Sequence, residues 1–284
     1  MLRVDSLAIS FGQILAVRDV SFSVAPGECL AVVGESGSGK SLSALAILGL
    51  LPAGAAVTRG SITFTDPVDG SVIDPLHATP TALQRLRGGR IAMIFQEPMS
   101  CLNPVFTVGE QLLEAFALHR RDIPHRERTH HVEEALRSVG ISEPQRRRSQ
   151  FSHELSGGMR QRIMIAMAVA CQPALLIADE PTTALDATIQ AQVLDLIDTL
   201  RKPTATSRHS AAGMGVLLIT HDLGIAHRRA DRIVVLRHGR VVETNTSHSL
   251  ISNPQHPYTR ALLACRPDRA TPGSILPTVA DADA

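Results

Sequence analysis

Residues 29–51 hold the feature that most narrows what this chain can fold into. "CLAVVG" is a short continuous apolar run, typical of a strand buried on both faces of a parallel sheet. "GESGSGKS", Gly34–Ser41, follows at once, and "KSLSALAILGLL" continues as a helix. A G-x-x-x-x-G-K-[ST] spacing between strand and helix makes a cradle for phosphate. Gly34, Gly37 and Gly39 let the backbone turn so tightly that its N–H groups face inward, and the helix N-terminus adds partial positive charge. Glu35, Ser36 and Ser38 complete the loop. Lys40 is placed to reach the β- and γ-phosphates of a nucleotide, and the Ser41 hydroxyl to ligate Mg²⁺. A glycine-rich turn that binds nothing would not need a strand on one side and a helix on the other.

The rest of the chain is consistent with an α/β sheet. "LRVDSLAIS" and "VRDVSFSV" alternate apolar and polar residues and read as strands joined by a turn. "GSITFTD" is a further strand, and "PVDGSVIDPLHATP" a turn-rich surface stretch. "RIAMIFQ", "ALLIAD", "VLLIT" and "RIVVLR" have the continuous apolar character of buried parallel strands, with helices between them. From about 107 to 172 the apolar spacing is helical, which predicts a compact helical insertion. Residues 202–215 read as a loop, "HGRVVE" as a turn and short strand followed by two small helices, and the tail from 266 as weakly ordered.

A nucleotide loop of this kind needs a metal-holding acid at the end of another strand. "LLIADE" supplies Asp179 for Mg²⁺ and, next to it, Glu180, a carboxylate able to take a proton from attacking water. Gln96 ends "RIAMIFQ" and His221 follows "VLLIT". Active sites of open α/β sheets collect at the carboxyl ends of strands. Gln96 is therefore expected on Mg²⁺ or the attacking water, and His221 on the phosphate oxygens. Each alone would pass for a surface polar residue.

Composition excludes several classes. Lys+Arg 28 against Asp+Glu 27 gives a net charge of +1, no electrostatic case for nucleic acid or anionic lipid. With no Trp and one Tyr there is no base-stacking platform. Cys29, Cys101, Cys171 and Cys265 are scattered, without CxxC pairs, and read as reduced thiols. "MLRVDSLAIS" lacks the apolar core of a signal peptide, and the longest apolar runs are too short to span a bilayer. His125, His130, His131, His248 and His256 read as solvated surface residues, not as a metal site.

A second anion cradle, "LSGGMRQR" at 155–162, is the puzzle, because one nucleotide loop is already present and the chain has no internal repeat. "GESGSGKS", Gln96, "LSGGMRQR", "LLIADEP", "ALD" and His221, in that order, resemble the ATPases of ABC transporters over about residues 2–265. The resemblance implies a P-loop NTPase core with an antiparallel β subdomain and a helical signature subdomain. It also implies two ATPases facing head to tail. Ser156, Gly157 and Gly158 would then cap the γ-phosphate of ATP held by the opposite subunit, with Met159 where glutamine is common. Asp186 would carry communication across that interface. Phe11 would stack on adenine, a core phenylalanine being the other reading. "MIFQEPMSCLNPVFTVGEQ" and "NPQHPYTRALL" are similar to the D-type ATPases of bacterial dipeptide, oligopeptide and nickel importers.

That resemblance implies residues 2–252 as the nucleotide-binding domain, with the helical subdomain at about 97–172, and 253–284 as a C-terminal extension. It implies a peripheral protein on the cytoplasmic face of the bacterial inner membrane. The implied partners are an F-type second ATPase, two transmembrane permeases and an extracytoplasmic binding protein, and ATP and Mg²⁺ are implied as ligands. Some relatives carry a C-terminal cysteine cluster for iron–sulfur, but here only Cys265 lies in that region, so no cluster is expected. A soluble ribosome- or DNA-acting ATPase, a P-loop kinase and an exporter subunit fit the motifs less well.

Overall fold

A computed structural model describes residues 1–96, 101–183, 186–203 and 213–265. The chain divides into two compact units. The first comprises Met1–Thr65, Val72–His77 and the chain from Leu217 onward, the second Asp66–Ser71 and Ala78–Val216.

The first unit is built on a sheet whose antiparallel part comes from alternating strands. β1 (Leu2–Phe11) and β2 (Ile14–Val24) form a hairpin closed by the pair Phe11 and Ile14, with Gly12 at φ 54° in the turn. β4 (Ala55–Thr65) adds to β1, and the two-residue β5 (Val72–Ile73) adds to β4. Leu2 and Val4 turn inward while Arg3 stays exposed, the period-2 signal of a sheet with one wet face. A bulge interrupts β1 at Ser6, φ 45°, opposite Gly60. A side chain at Gly60 would meet Asp5 O and Ser6 O at 2.6 Å.

β3 (Cys29–Val33) and β9 (Arg232–Arg237) pair in parallel, and β3 is buried along its whole length. β9 turns into β10 (Arg240–Thr246) through His238 and Gly239, both at positive φ (47° and 76°). That is the geometry a two-residue hairpin demands. β10 reaches β2 through a parallel pairing, and β8 (Gly215–Thr220) lies beside β3 in strand order. The helices of this unit are α1 (Lys40–Ile47), α8 (Leu223–Arg229), α9 (Ser247–Ser252) and α10 (Pro257–Ala264).

The second unit pairs β6 (Ile91–Ile94) with β7 (Leu175–Asp179) in parallel and carries most of the helices. α2 (Pro80–Leu86) starts on the last residue of the turn-rich stretch 67–80, a helix that the sequence pattern does not announce. It begins where Thr79 accepts from Ala82 N and Pro80 takes the first helical position. The helical insertion comprises α3 (Val108–His119), α4 (His125–Ser138), α5 (Pro144–Arg147) and α6 (Gly157–Val169). α3 starts on a reciprocal cap in which Thr107 and Glu110 each bond the other's backbone N–H. α7 (Ala187–Arg201) follows β7.

Most of the 202–215 loop and the tail from 266 lie outside the described residues. No helix of the described residues is long and apolar enough to cross a membrane.

Candidate nucleotide site

The first cradle belongs to the first unit. β3 delivers the chain to Gly34, where a Cβ atom would lie 2.2 Å from the Leu236 carbonyl oxygen on β9. Only glycine fits against that backbone. Gly37 and Gly39 have φ of 78° and 99°, a left-handed conformation that costs side-chain-bearing residues energy. Gly39 is the N-cap of α1 and offers no side-chain acceptor, so the positive end of the helix is not closed by a capping side chain.

Lys40 is only 6% exposed. Its ammonium arcs back over the loop and donates to Gly34 O at 2.7 Å and Glu35 O at 2.8 Å. An ammonium fixed at the mouth of the loop is a strong hydrogen-bond donor for phosphate. The Ser38 hydroxyl is buried without a hydrogen-bond partner, so the loop also holds a donor to spare.

His221 directly follows β8 in this unit and is exposed. The next residue, Asp222, fixes the chain direction by capping α8, accepting from Gly224 N at 2.6 Å and Ile225 N at 3.1 Å. Phe11 closes β1 with 37% of its surface exposed, so it is not a core phenylalanine.

The acids belong to the second unit. β7 is buried throughout and ends on Asp179, 5% exposed. Glu180 follows at φ 45°, a left-handed conformation rare for glutamate. One of its carboxylate oxygens accepts from Gln96 Nε2 at 3.2 Å and from Thr183 Oγ1 at 3.0 Å. The structure therefore brings together Gln96 and Glu180, which the sequence placed on separate strands. It also adds Thr183, which sequence reasoning missed.

Gln161 was missed as well. It is buried in α6 and donates through Nε2 to the Pro181 carbonyl, tying that helix to the turn after β7. Its neighbours Arg160 and Arg162 make it pass for part of a polar helix start ahead of the apolar run "IMIAM", so the sequence offers little signal for it.

The second cradle is the N-terminus of α6. Ser156 is the N-cap and accepts from Met159 N at 3.3 Å. Arg160 braces the approach by donating to Ser152 O at 2.7 Å. Ser156 and Gly157 are exposed, and both glycines have helical backbone. A Cβ at Gly157 would touch nothing, and one at Gly158 would meet only the Ile189 side chain at 3.5 Å. Asp186 is the N-cap of α7, accepting from Thr188 N and Ile189 N at 3.0 Å, so it has a local structural role.

Elsewhere, His130 and His131 on α4 lie 3.2 and 3.1 Å from Glu134 carboxylate oxygens. Among the described residues no group of three or more His, Cys, Asp or Glu side chains is placed to hold a metal ion.

Comparison with known proteins bears on this geometry. The ABC transporter family profile matches residues 17–183, more than half of the chain. The glutathione import ATP-binding protein GsiA of Escherichia coli (strain K12) is 48% identical over 271 residues, covering 94% of this chain and 42% of that protein. The same protein of Shigella flexneri matches equally, so the chain spans about two fifths of the length of these curated relatives. A dimeric ATP-binding cassette, MJ0796, solved in a post-hydrolysis state bound to ADP and Pi, superposes with a TM-score of 0.71. Its sequence identity is 26%, over 87% of this chain and 99% of that one.

Proposed function

This chain belongs to the ABC transporter family, and on that premise we propose that it is the ATP-hydrolysing subunit of an importer for small peptides, glutathione among them. The observation that carries the reading is the contrast between the cradles: one fully built by its own fold, the other with glycines its own fold does not require. A second copy or a related ATPase, facing head to tail, supplies the missing reason. Ser156, Gly157 and Gly158 then cap the γ-phosphate of a nucleotide held by the partner, and Asp186 lies near that junction. Likeness to GsiA, named as a glutathione import protein, supports the peptide class. A nickel importer with the same motor is the second reading, because the "NPQHPYTRALL" stretch resembles the ATPases of peptide and nickel importers alike.

In this reading residues 2–252 form the nucleotide-binding domain, 97–172 its helical insertion and 253–284 an extension. Lys40 and the N–H groups of Gly37–Ser41 hold the phosphates, and Phe11 offers its exposed ring to adenine. The hydroxyl of Ser41, the carboxylate of Asp179 and the amide oxygen of Gln96 are all hard oxygen donors, which suits Mg²⁺. When bound, that ion neutralises charge on the phosphoryl oxygens. Glu180 draws a proton from the attacking water, Gln96 and Thr183 hold the Glu180 carboxylate in place, and His221 donates to phosphate oxygen. The subunit works on the inner face of a bacterial membrane with two permeases, a binding protein and a second ATPase of F-type.

The test is uptake of labelled glutathione, a labelled dipeptide and Ni²⁺ in cells lacking the gene, complemented with wild type or Glu180→Gln. Rescue of peptide uptake by wild type alone is expected. Rescue of Ni²⁺ uptake alone would move the assignment to the second reading. Rescue by Glu180→Gln would remove Glu180 from the chemistry. In the purified protein Glu180→Gln should keep nucleotide binding and lose about 10²–10⁴-fold in turnover.

A further inference from the structure

The segment Asn253–Leu263, which the sequence marked only as a likeness to importer ATPases, is built into the start of the nucleotide loop. Glu243 on β10 accepts the backbone N–H groups of Gln255 at 2.9 Å and His256 at 3.0 Å. Burial pushes the Glu243 carboxyl up, but the Gln255 N–H, the Thr259 side chain and the N–H and imidazole of His256 together hold the group below the usual carboxylate range. His256 caps α10 by accepting Tyr258 N at its Nδ1, 3.1 Å away, and Pro257 occupies the first helical position.

Tyr258 is thereby turned inward. It is 0% exposed and is the largest of the fully buried side chains among the described residues. The Arg237 guanidinium lies 4.7 Å from its ring centroid. Its phenol oxygen accepts the backbone N–H of Glu35 at 3.2 Å. Glu35 is the second residue of the cradle, and its carbonyl accepts from Lys40 Nζ at 2.8 Å. The backbone of Glu35 is held at both ends, by the C-terminal helix on one side and by the phosphate lysine on the other.

We infer that Tyr258 is a positioning residue for the nucleotide loop, and that α10 is a working part of nucleotide binding. The inference rests on the reading of Gly34–Ser41 as a nucleotide cradle. An unbraced Glu35 leaves the Gly34 and Glu35 carbonyls and the Lys40 ammonium free to shift. A ligand must then order them itself, which weakens binding without touching the reacting atoms. The loop is needed in ground and transition states alike, so loss of the brace acts on affinity and not on the chemical step. Linkage works in the other direction too, so bound nucleotide alters the surroundings of Tyr258.

One property of the chain makes this measurable: Tyr258 is its single tyrosine and there is no tryptophan, so tyrosine emission reports on this residue alone. Full-length wild type is titrated with MgADP while tyrosine emission is followed, a tyrosine peptide in parallel correcting for adenine absorbance. Affinity of wild type and Tyr258→Phe is measured with a ribose-labelled fluorescent ATP, and melting of both is recorded. Phenylalanine keeps the buried ring and removes only the acceptor. The expected result is a saturable emission change in wild type and about three- to tenfold weaker binding in Tyr258→Phe, the worth of one hydrogen bond. Adding Mg²⁺-free nucleotide to either protein should preserve that ratio. Equal affinity of the two proteins, or silent emission at saturation, overturns the inference and leaves the nucleotide reading standing. A wild type that binds no nucleotide takes both down.

Discussion

The two glycine-bearing loops use the same residue for opposite reasons. At Gly34 the demand is internal, because a methyl group there would overlap the Leu236 carbonyl oxygen at 2.2 Å. At Gly157 it is external, because a methyl group would meet nothing in the chain. Glycine inside a helix costs about 0.5–1 kcal/mol relative to alanine. A cost carried without local benefit points to something that approaches the bare backbone from outside. A glycine's role can therefore be told from what a Cβ would strike.

The comparison can be broken at its strongest point first. Gly34→Ala should destabilise the first unit by about 3 kcal/mol through overpacking against β9 and abolish nucleotide binding. Urea unfolding with a labelled-nucleotide assay checks both, and a stable, binding variant would show that the internal demand is absent.

Gly157→Ala is the sharper experiment. Melting should stay put or rise by the equivalent of about 0.5–1 kcal/mol, and nucleotide binding by the isolated chain should match wild type. Turnover of the assembled ATPase should drop by at least tenfold. Unchanged turnover would leave Gly157 without a partner to serve.

The smallest effect concerns acid sensitivity in the second unit. His119 ends α3, and its Nε2 lies 3.0 Å from where a Cβ on Gly88 would sit. Burial lowers its pKa from 6.5, so the unfolded chain takes up a proton at a higher pH than the folded one. The corresponding stability is complete above pH 6.5 and is lost as pH falls through the lower, folded value. His119→Gln should flatten that part of the pH profile, read as denaturant midpoints on both sides of 6.5 against wild type. An unaltered slope would place the acid response elsewhere.

Strands were the most legible elements because their signal is local. "CLAVV" is apolar throughout and "LLIAD" up to its closing aspartate, both are buried throughout, and they lead to Gly34 and end on Asp179 of the candidate site. α2 was obscured because its seven residues hold one buried side chain, Leu86, too few to give a periodic stripe. The Thr79-Pro80 start was the readable part. The phosphate loop was legible from spacing, but the return of Lys40 to Gly34 O was not. The Glu35–Tyr258 contact joins residues 223 positions apart, and nothing in either neighbourhood announces the other. Asp186 shows the limit from the other side, because its local cap is visible in one chain whereas a role at a junction needs two.

The backbone of Glu180 carries a consequence for anyone who would engineer this protein. A glutamate at φ 45° sits where glycine or asparagine is more comfortable. Replacing it with either should raise the melting temperature while erasing the carboxylate assigned to the chemistry. A thermostability screen blind to turnover will therefore enrich dead variants at position 180, and the library should hold that codon fixed.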